Sequence, residues 1–252
     1  GKTRQAKGPF TVAGATHHEV TGEFGLHGSS IQFDGATDYI THEVHPDFNI
    51  LSDTFTLETF YKSSATNTDH DLICYYTSGT HYWTFMSRRH ASNNEYKFGR
   101  NGDYSLVFGT QHDDALERDG SWHHLAVTGN KTNNTMNLFL DGICVVANTA
   151  AYPAIPDITQ GTTKLFIGAR NTSDDNVNGY MDEIRITKGI ERYTPDGASQ
   201  SGIVPSTATG AGSTGSSIPT TPFLRPTPYV ATDGGRGFFA NADFKLWVQS
   251  DT

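Results

Sequence analysis

"GSWHHLAVTGNKTNNTMNLFLDGICVVANTA", residues 120–150, decides the fold. It divides into three β-rich runs. "WHHLAVTG" leads into the polar turn "NKTNN", "TMNLFLDG" returns through Asp141-Gly142, and "ICVVANT" closes the segment. An Asp-Gly pair between apolar runs suits a two-residue hairpin turn with positive φ. The stretch therefore predicts a three-stranded meander. His123 and His124 are neighbours on the first strand, so their side chains point to opposite faces. Two groups so placed do not ligate one metal or serve one substrate. One histidine is expected to be half-buried and hydrogen-bonded, and the other exposed.

The same texture extends in both directions. "SIQFDG", "DYITHEV", "FTLETFYKS", "DLICYYT", "HYWTFMSR", "EYKFGR" and "YSLVFGT" precede the meander, and "KLFIGAR" and "YMDEIRIT" follow it. Each is rich in Ile, Val, Thr, Phe and Tyr and is bounded by Gly, Asn, Asp or Ser. In "FTLETFYKS", Phe55, Leu57 and Thr59 face one way, and Thr56, Glu58 and Phe60 the other. No long stretch has helical periodicity with caps. About twelve short strands with turns between them predict an all-β sandwich or a barrel.

The 252 residues are enough for one large all-β domain with a real core. A formal net charge of -9 argues against wholesale binding to nucleic acid or anionic lipid. No apolar run approaches membrane-spanning length and no signal peptide is visible. The chain opens on glycine, which is expected of a processed or trimmed product. The opening "GKTRQAKG" carries Lys2, Arg4 and Lys7 without an acid. It reads as a solvated tail, with docking on an acidic partner as the alternative. Cys74 and Cys144 lie in apolar runs and are expected as buried free thiols; a single bridge is the alternative.

The texture divides the chain into an N-terminal arm or first strand (1–28), a sandwich (29–194), a linker (195–222) and a C-terminal β-arm (223–252). The linker text "DGASQSGIVPSTATGAGSTGSSIPTT" is too poor in apolar residues to order itself. The arm is apolar again but too short for its own core. Phe238, Phe239, Phe244 and Trp247 need somewhere to pack. The options are the parent sandwich and a neighbouring subunit reached by adding strands to a sheet edge.

"SIQFDGATDYI", "FTLETFYKS", "DGSWHHLAVT", "NLFLDG", "KLFIGAR" and "NGYMDEIRI" stand in the order typical of laminin G-like, concanavalin A-like jelly-roll domains, which residues 29–194 resemble. The resemblance implies a two-sheet antiparallel β-sandwich, a concanavalin A-like jelly roll, used for binding sugars or proteins rather than for chemistry. "ITKGIERYTPDG" resembles the end of such domains in tailed-phage virion proteins: fibre, appendage and capsid-decorating proteins.

Catalysis has little support in the residues. Glycoside hydrolysis needs two carboxylates flanking the scissile bond. The Glu-x-Asp-x-Glu pattern of the β-glucanase branch is missing, and Asp182 and Glu183 are adjacent. A hydrolase acting through Glu58 or Glu183 is the third-ranked reading. Calcium is the candidate cofactor, because hard cations want clustered carboxylates on loops. Asp34, Asp38 and Asp182 come together if the first and last sandwich strands pair. Asp174, Asp175 and Asn176 form a second acidic loop. Solvated turns and hydrogen-bonded strand ends are the structural alternative for both sets.

Sugar binding needs exposed aromatics beside amides. Tyr82, Trp83, Asn93 and Asn101 are the candidates, with Tyr75, Tyr76, Tyr104 and Asn94 beside them; the alternative is that these aromatics are core. The expected function is a non-enzymatic structural protein on the virion surface of a tailed phage. Its expected partners are other copies of itself, other virion proteins and host-surface glycans. The alternative is a secreted or cell-surface carbohydrate-binding module.

Overall fold

The computed structural model describes residues 4–7, 10–14, 17–19, 30–65, 68–77, 80–90, 93–99, 111–112, 118–148, 162–194 and 246–250. The strands are β1 (Arg4–Lys7), β2 (Thr11–Ala13), β3 (His17–Glu19), β4 (Ser30–Asp34), β5 (Tyr39–Glu43), β6 (Phe55–Lys62), β7 (His70–Thr77) and β8 (Thr80–His90). They continue with β9 (Asn93–Gly99), β10 (Gln111–His112), β11 (Trp122–Asn130), β12 (Thr135–Leu140), β13 (Ile143–Asn148), β14 (Lys164–Ile167), β15 (Asn178–Lys188) and β16 (Leu246–Ser250). Helix among the described residues is limited to two short 3-10 turns, Pro46–Phe48 and Ile50–Ser52. Neither is long enough to cross a membrane.

Two sheets face each other. One runs β13-β12-β11-β6-β15, after which β15 is flanked by β4 along its first half and by β16 along its second. The other runs β10-β9-β8-β7-β14-β5-β2. The expected meander is present as β11-β12-β13, and the expected pairing of the first and last sandwich strands as β4-β15. One pairing departs from the antiparallel expectation: β16 lies parallel to β15. Its other neighbour is β1, so the two ends of the chain share a sheet edge.

Period-two alternation sends one face of each strand into the core. Phe55, Leu57 and Tyr61 of β6, Leu125 and Val127 of β11, and Ile40, Leu165 and Ile167 of the opposite sheet are fully buried there. Trp83 lies at its centre, stacked on Tyr75 at 6.0 Å and on Phe98 at 6.2 Å. Its indole N–H donates to the Phe48 carbonyl at 2.8 Å. The 3-10 turns are thereby fastened to the sheet.

Two turns need special backbone. Asp141 and Gly142 have φ of 48° and 78°, as the β12-β13 hairpin requires. Gly168 has φ +83°, and a Cβ there would stand 2.2 Å from the Phe33 ring, so glycine is what lets Phe33 close the core. Cys74 and Cys144 are both buried and free, as expected.

Candidate functional site

The outer faces of the two sheets differ. On the β6-β11-β15 face the segment after β15 folds back across the strands. Thr56 Oγ1 donates to the Ile190 carbonyl and Thr128 Oγ1 to the Tyr193 carbonyl. Tyr193 joins Ala126, Phe139 and Cys144 in a second small core. Beneath it Glu58 is wholly buried. Its carboxylate accepts from Arg185 Nε at 2.7 Å, Tyr193 Oη at 2.6 Å and His124 Nε2 at 3.2 Å. Burial pushes this carboxyl up, but His124, the Arg185 guanidinium and Tyr193 together hold it below its usual range.

That environment removes Glu58 from the surface. A base or nucleophile must reach substrate, and this one is covered. Glu183 also loses its expected place: it sits at φ 47° in a bulge where the β15-β6 register shifts between Asp182 and Arg185. His123 and His124 do point to opposite faces, but neither is exposed. His124 is sealed with Glu58. His123 Nδ1 pairs with Asp141 at 2.7 Å and Nε2 with Asp119 at 3.3 Å. Burial lowers the His123 pKa, and these carboxylates outweigh it and raise it overall.

The calcium set does not assemble. Asn178, not Asp182, is opposite Asp34, and Asp182 lies four residues further along β15, roughly 13 Å away at 3.3 Å per residue. Asp34 instead closes its own turn, accepting from the N–H groups of Ala36, Thr37 and Asp38 and from the Thr37 hydroxyl. Burial opposes ionisation, but these four donors together outweigh it and bring the pKa to about 2. Asp38 is buried and accepts from the Asp34 N–H. Asp182 accepts from the Glu183 N–H.

The second acidic loop is paired with an arginine side chain. Arg170 pairs with Asp175 at 2.8 Å and Asp174 at 3.4 Å. Asp71, fully buried behind Asp175, is pushed up to about 8 by burial. Among the described residues, no group of three or more His, Cys, Asp or Glu is arranged to hold a metal ion.

The aromatic candidates divide as well. Trp83 and Tyr75 are core, not surface. The side chains of Tyr82, Asn93 and Asn94, and all of Asn101 and Tyr104, lie outside the described residues. So do Phe238, Phe239 and Phe244; Trp247 is described only as part of the β16 backbone.

An aromatic cleft does exist, on the outer face of the β5-β14-β7 sheet. Alternation that buries Ile40, Leu165 and Ile167 in the core turns Tyr39, Thr41, Lys164 and Phe166 to the outer face, where Tyr39 and Lys164 are partly exposed and Thr41 and Phe166 are largely covered. Thr11, Thr41, Phe166 and Cys74 form one cross-strand row, and Glu43, Lys164 and Tyr76 another. The Phe166 ring stands 5.8 Å from Tyr39 and 6.2 Å from Tyr76. These rings, with the hydroxyls of Thr11, Thr41 and Thr162 and the edge residue Asn171, line a cleft of about 440 Å³. Lys164 leans across to Glu43 at 2.8 Å, and Asn171 is held by Asp174. Apolar rings beside fixed hydroxyls are the makings of a small-ligand site of ordinary size. Of the sequence candidates whose side chains are described, only Tyr76 contributes to it.

Residues 34–190 match the family described as the concanavalin A-like lectin/glucanases superfamily. No curated protein sequence matches the chain. Among solved structures, domain 4 of AbnA, an extracellular arabinanase from Geobacillus stearothermophilus solved in complex with arabinotriose, is 18% identical with a TM-score of 0.50, over 71% of this chain and 82% of that one. The binding domain of botulinum neurotoxin DC in complex with SialylT is 11% identical with a TM-score of 0.51, over 74% of this chain and 44% of that one. Both likenesses concern the fold.

Proposed function

Because the chain belongs to the concanavalin A-like lectin/glucanase superfamily, we propose that it is a non-catalytic glycan-binding module. Its sugar site is the cleft of Tyr39, Tyr76 and Phe166. That cleft carries the reading: ring faces stack on the apolar faces of a sugar, and the Thr41 and Thr162 hydroxyls meet its hydroxyls. The carbohydrate complex of the AbnA domain favours the same chemistry. Glu58, one of the two carboxylates a hydrolase reading would use, is wholly buried.

The test is calorimetric titration with neutral oligosaccharides. Tyr39→Ala and Tyr76→Ala are each expected to weaken binding about tenfold, the worth of roughly 1.4 kcal/mol of lost stacking. Unchanged affinity in both variants contradicts the site.

A structural role on the virion surface of a tailed phage is the second reading, with other copies of the chain and other virion proteins as partners. It rests on the likeness of "ITKGIERYTPDG" to phage proteins and on the meeting of β1 and β16 at one sheet edge. A terminal strand held at an edge can be exchanged between copies. Light scattering on the intact chain and on a version ending at Tyr193 checks it. The virion reading expects defined oligomers from the first and monomers from the second; monomers from both contradict it.

A further inference from the structure

The other sheet carries a second surface row that the proposed sugar cleft does not use. Trp122 of β11 is paired with Lys62 of β6, Lys62 with Tyr180 of β15, and Tyr180 with Gln32 of β4. Four consecutive strands thus contribute one residue each at the same level. All four side chains point away from the core, because their neighbours Tyr61, Leu125, Met181, Ile31 and Phe33 point into it. All four are partly exposed. The strap that ends at Tyr193 anchors on Thr56, Glu58 and Thr128, further along the same strands.

Within the row the Lys62 ammonium stands 6.0 Å from the Trp122 ring centre and 5.6 Å from that of Tyr180. The two rings lean together over it, with centroids 6.4 Å apart and planes at 59°. Among the described residues no carboxylate pairs with Lys62. On a chain of net charge -9 this is a cation held in place by aromatic rings rather than by an acid. The row covers three strand spacings, about 14 Å.

We propose that this row is a binding subsite for an acidic oligosaccharide. A sugar carboxylate pairs with the Lys62 ammonium. The Trp122 and Tyr180 rings offer stacking surface, and the Trp122 Nε1–H, the Tyr180 hydroxyl and the Gln32 amide supply hydrogen bonds to sugar oxygens. The ligand class follows from charge complementarity: a cation fixed between two rings, with no carboxylate partner among the described residues, selects an anionic sugar over a neutral one. The site lies on the opposite sheet from the Tyr39 cleft, so the module binds on two faces.

The probe is a galacturonic-acid tetramer, with the neutral galactose tetramer as control, titrated into the intact chain at low and at raised salt. The acidic sugar is expected to bind more tightly, and raised salt to weaken it. Lys62→Met, which keeps the stem and removes the charge, is expected to lower acidic-sugar affinity about tenfold, one charge-assisted bond's worth. Lys62→Arg should restore most of it. Lys62→Met should leave both the melting temperature and neutral-sugar binding at the Tyr39 cleft unchanged. Equal affinity for the two tetramers, or no effect of Lys62→Met, overturns the proposal. Neutral-sugar binding that survives such a result leaves the cleft reading standing, so the two failures are distinguishable.

Discussion

Glu58→Ala is expected to lose about 3 kcal/mol of folding stability, the low end of the cost of removing one partner from a buried ion pair. The lower end applies because Arg185 keeps 18% of its side-chain surface and part of its hydration. His124 and the Tyr193 hydroxyl lose their acceptor in the same stroke. The melting temperature should fall by roughly 6–12 °C for a domain of this size. Glu58→Gln keeps the volume and one acceptor oxygen and should lose less. The acid limb supplies a second readout. The folded carboxyl has a lowered pKa, so its contribution is present above the unfolded value of about 4.5 and fades as pH falls through the folded pKa. Urea unfolding should therefore show a smaller Glu58→Gln deficit at pH 3 than at pH 7. A wild-type melting point for Glu58→Ala would show that the strap over this face is not anchored through Glu58.

Trp83→Ala is expected to cost about 3–5 kcal/mol, as large-to-small changes of buried aromatics do. The Phe48 carbonyl also loses its indole donor, which adds to the loss unless water enters. Trp83→Phe fills part of the volume and should isolate that hydrogen bond, at about 1–3 kcal/mol. Sugar affinity per folded molecule should be unchanged in Trp83→Phe, because Trp83 lies on the inner face and the Tyr39 cleft on the outer one. A Trp83→Phe protein with wild-type stability and no sugar binding would return this residue to a recognition role.

These two residues show where the sequence could be read and where it could not. The strands were legible because alternation and turn residues are local properties. At the 120–150 meander, Asp141-Gly142 set the hairpin and thereby the pairing of β12 with β13. The inner face was less legible. In "HYWTFMSR" both alternating sets, His81/Trp83/Phe85 and Tyr82/Thr84/Met86, contain aromatic or apolar residues, so the run does not say which set meets the other sheet. Burial is decided by the packing partners, here Tyr75, Phe98 and Phe48, which are distant in sequence.

The metal expectation failed for a related reason. That β4 and β15 pair was foreseeable; that Asn178 rather than Asp182 is opposite Asp34 depends on register, which two distant strands do not announce. The cations that satisfy the acids, Arg170 and Arg185, also follow from the folded geometry. The sugar cleft had a faint local signal. "DYITHEV" and "KLFIGAR" place Tyr39 with Thr41 and Lys164 with Phe166 on alternate positions, but their meeting on one face needs β14 to insert between β5 and β7.

The most direct measurement is an NMR titration of the intact chain with arabinotriose, with the sugar followed for cleavage in the same tube. A non-catalytic sugar site in the Tyr39 cleft predicts saturable shifts at Tyr39, Tyr76 and Phe166, and an intact trisaccharide at the end. Shifts confined to other surfaces, or the appearance of shorter sugars, would contradict it.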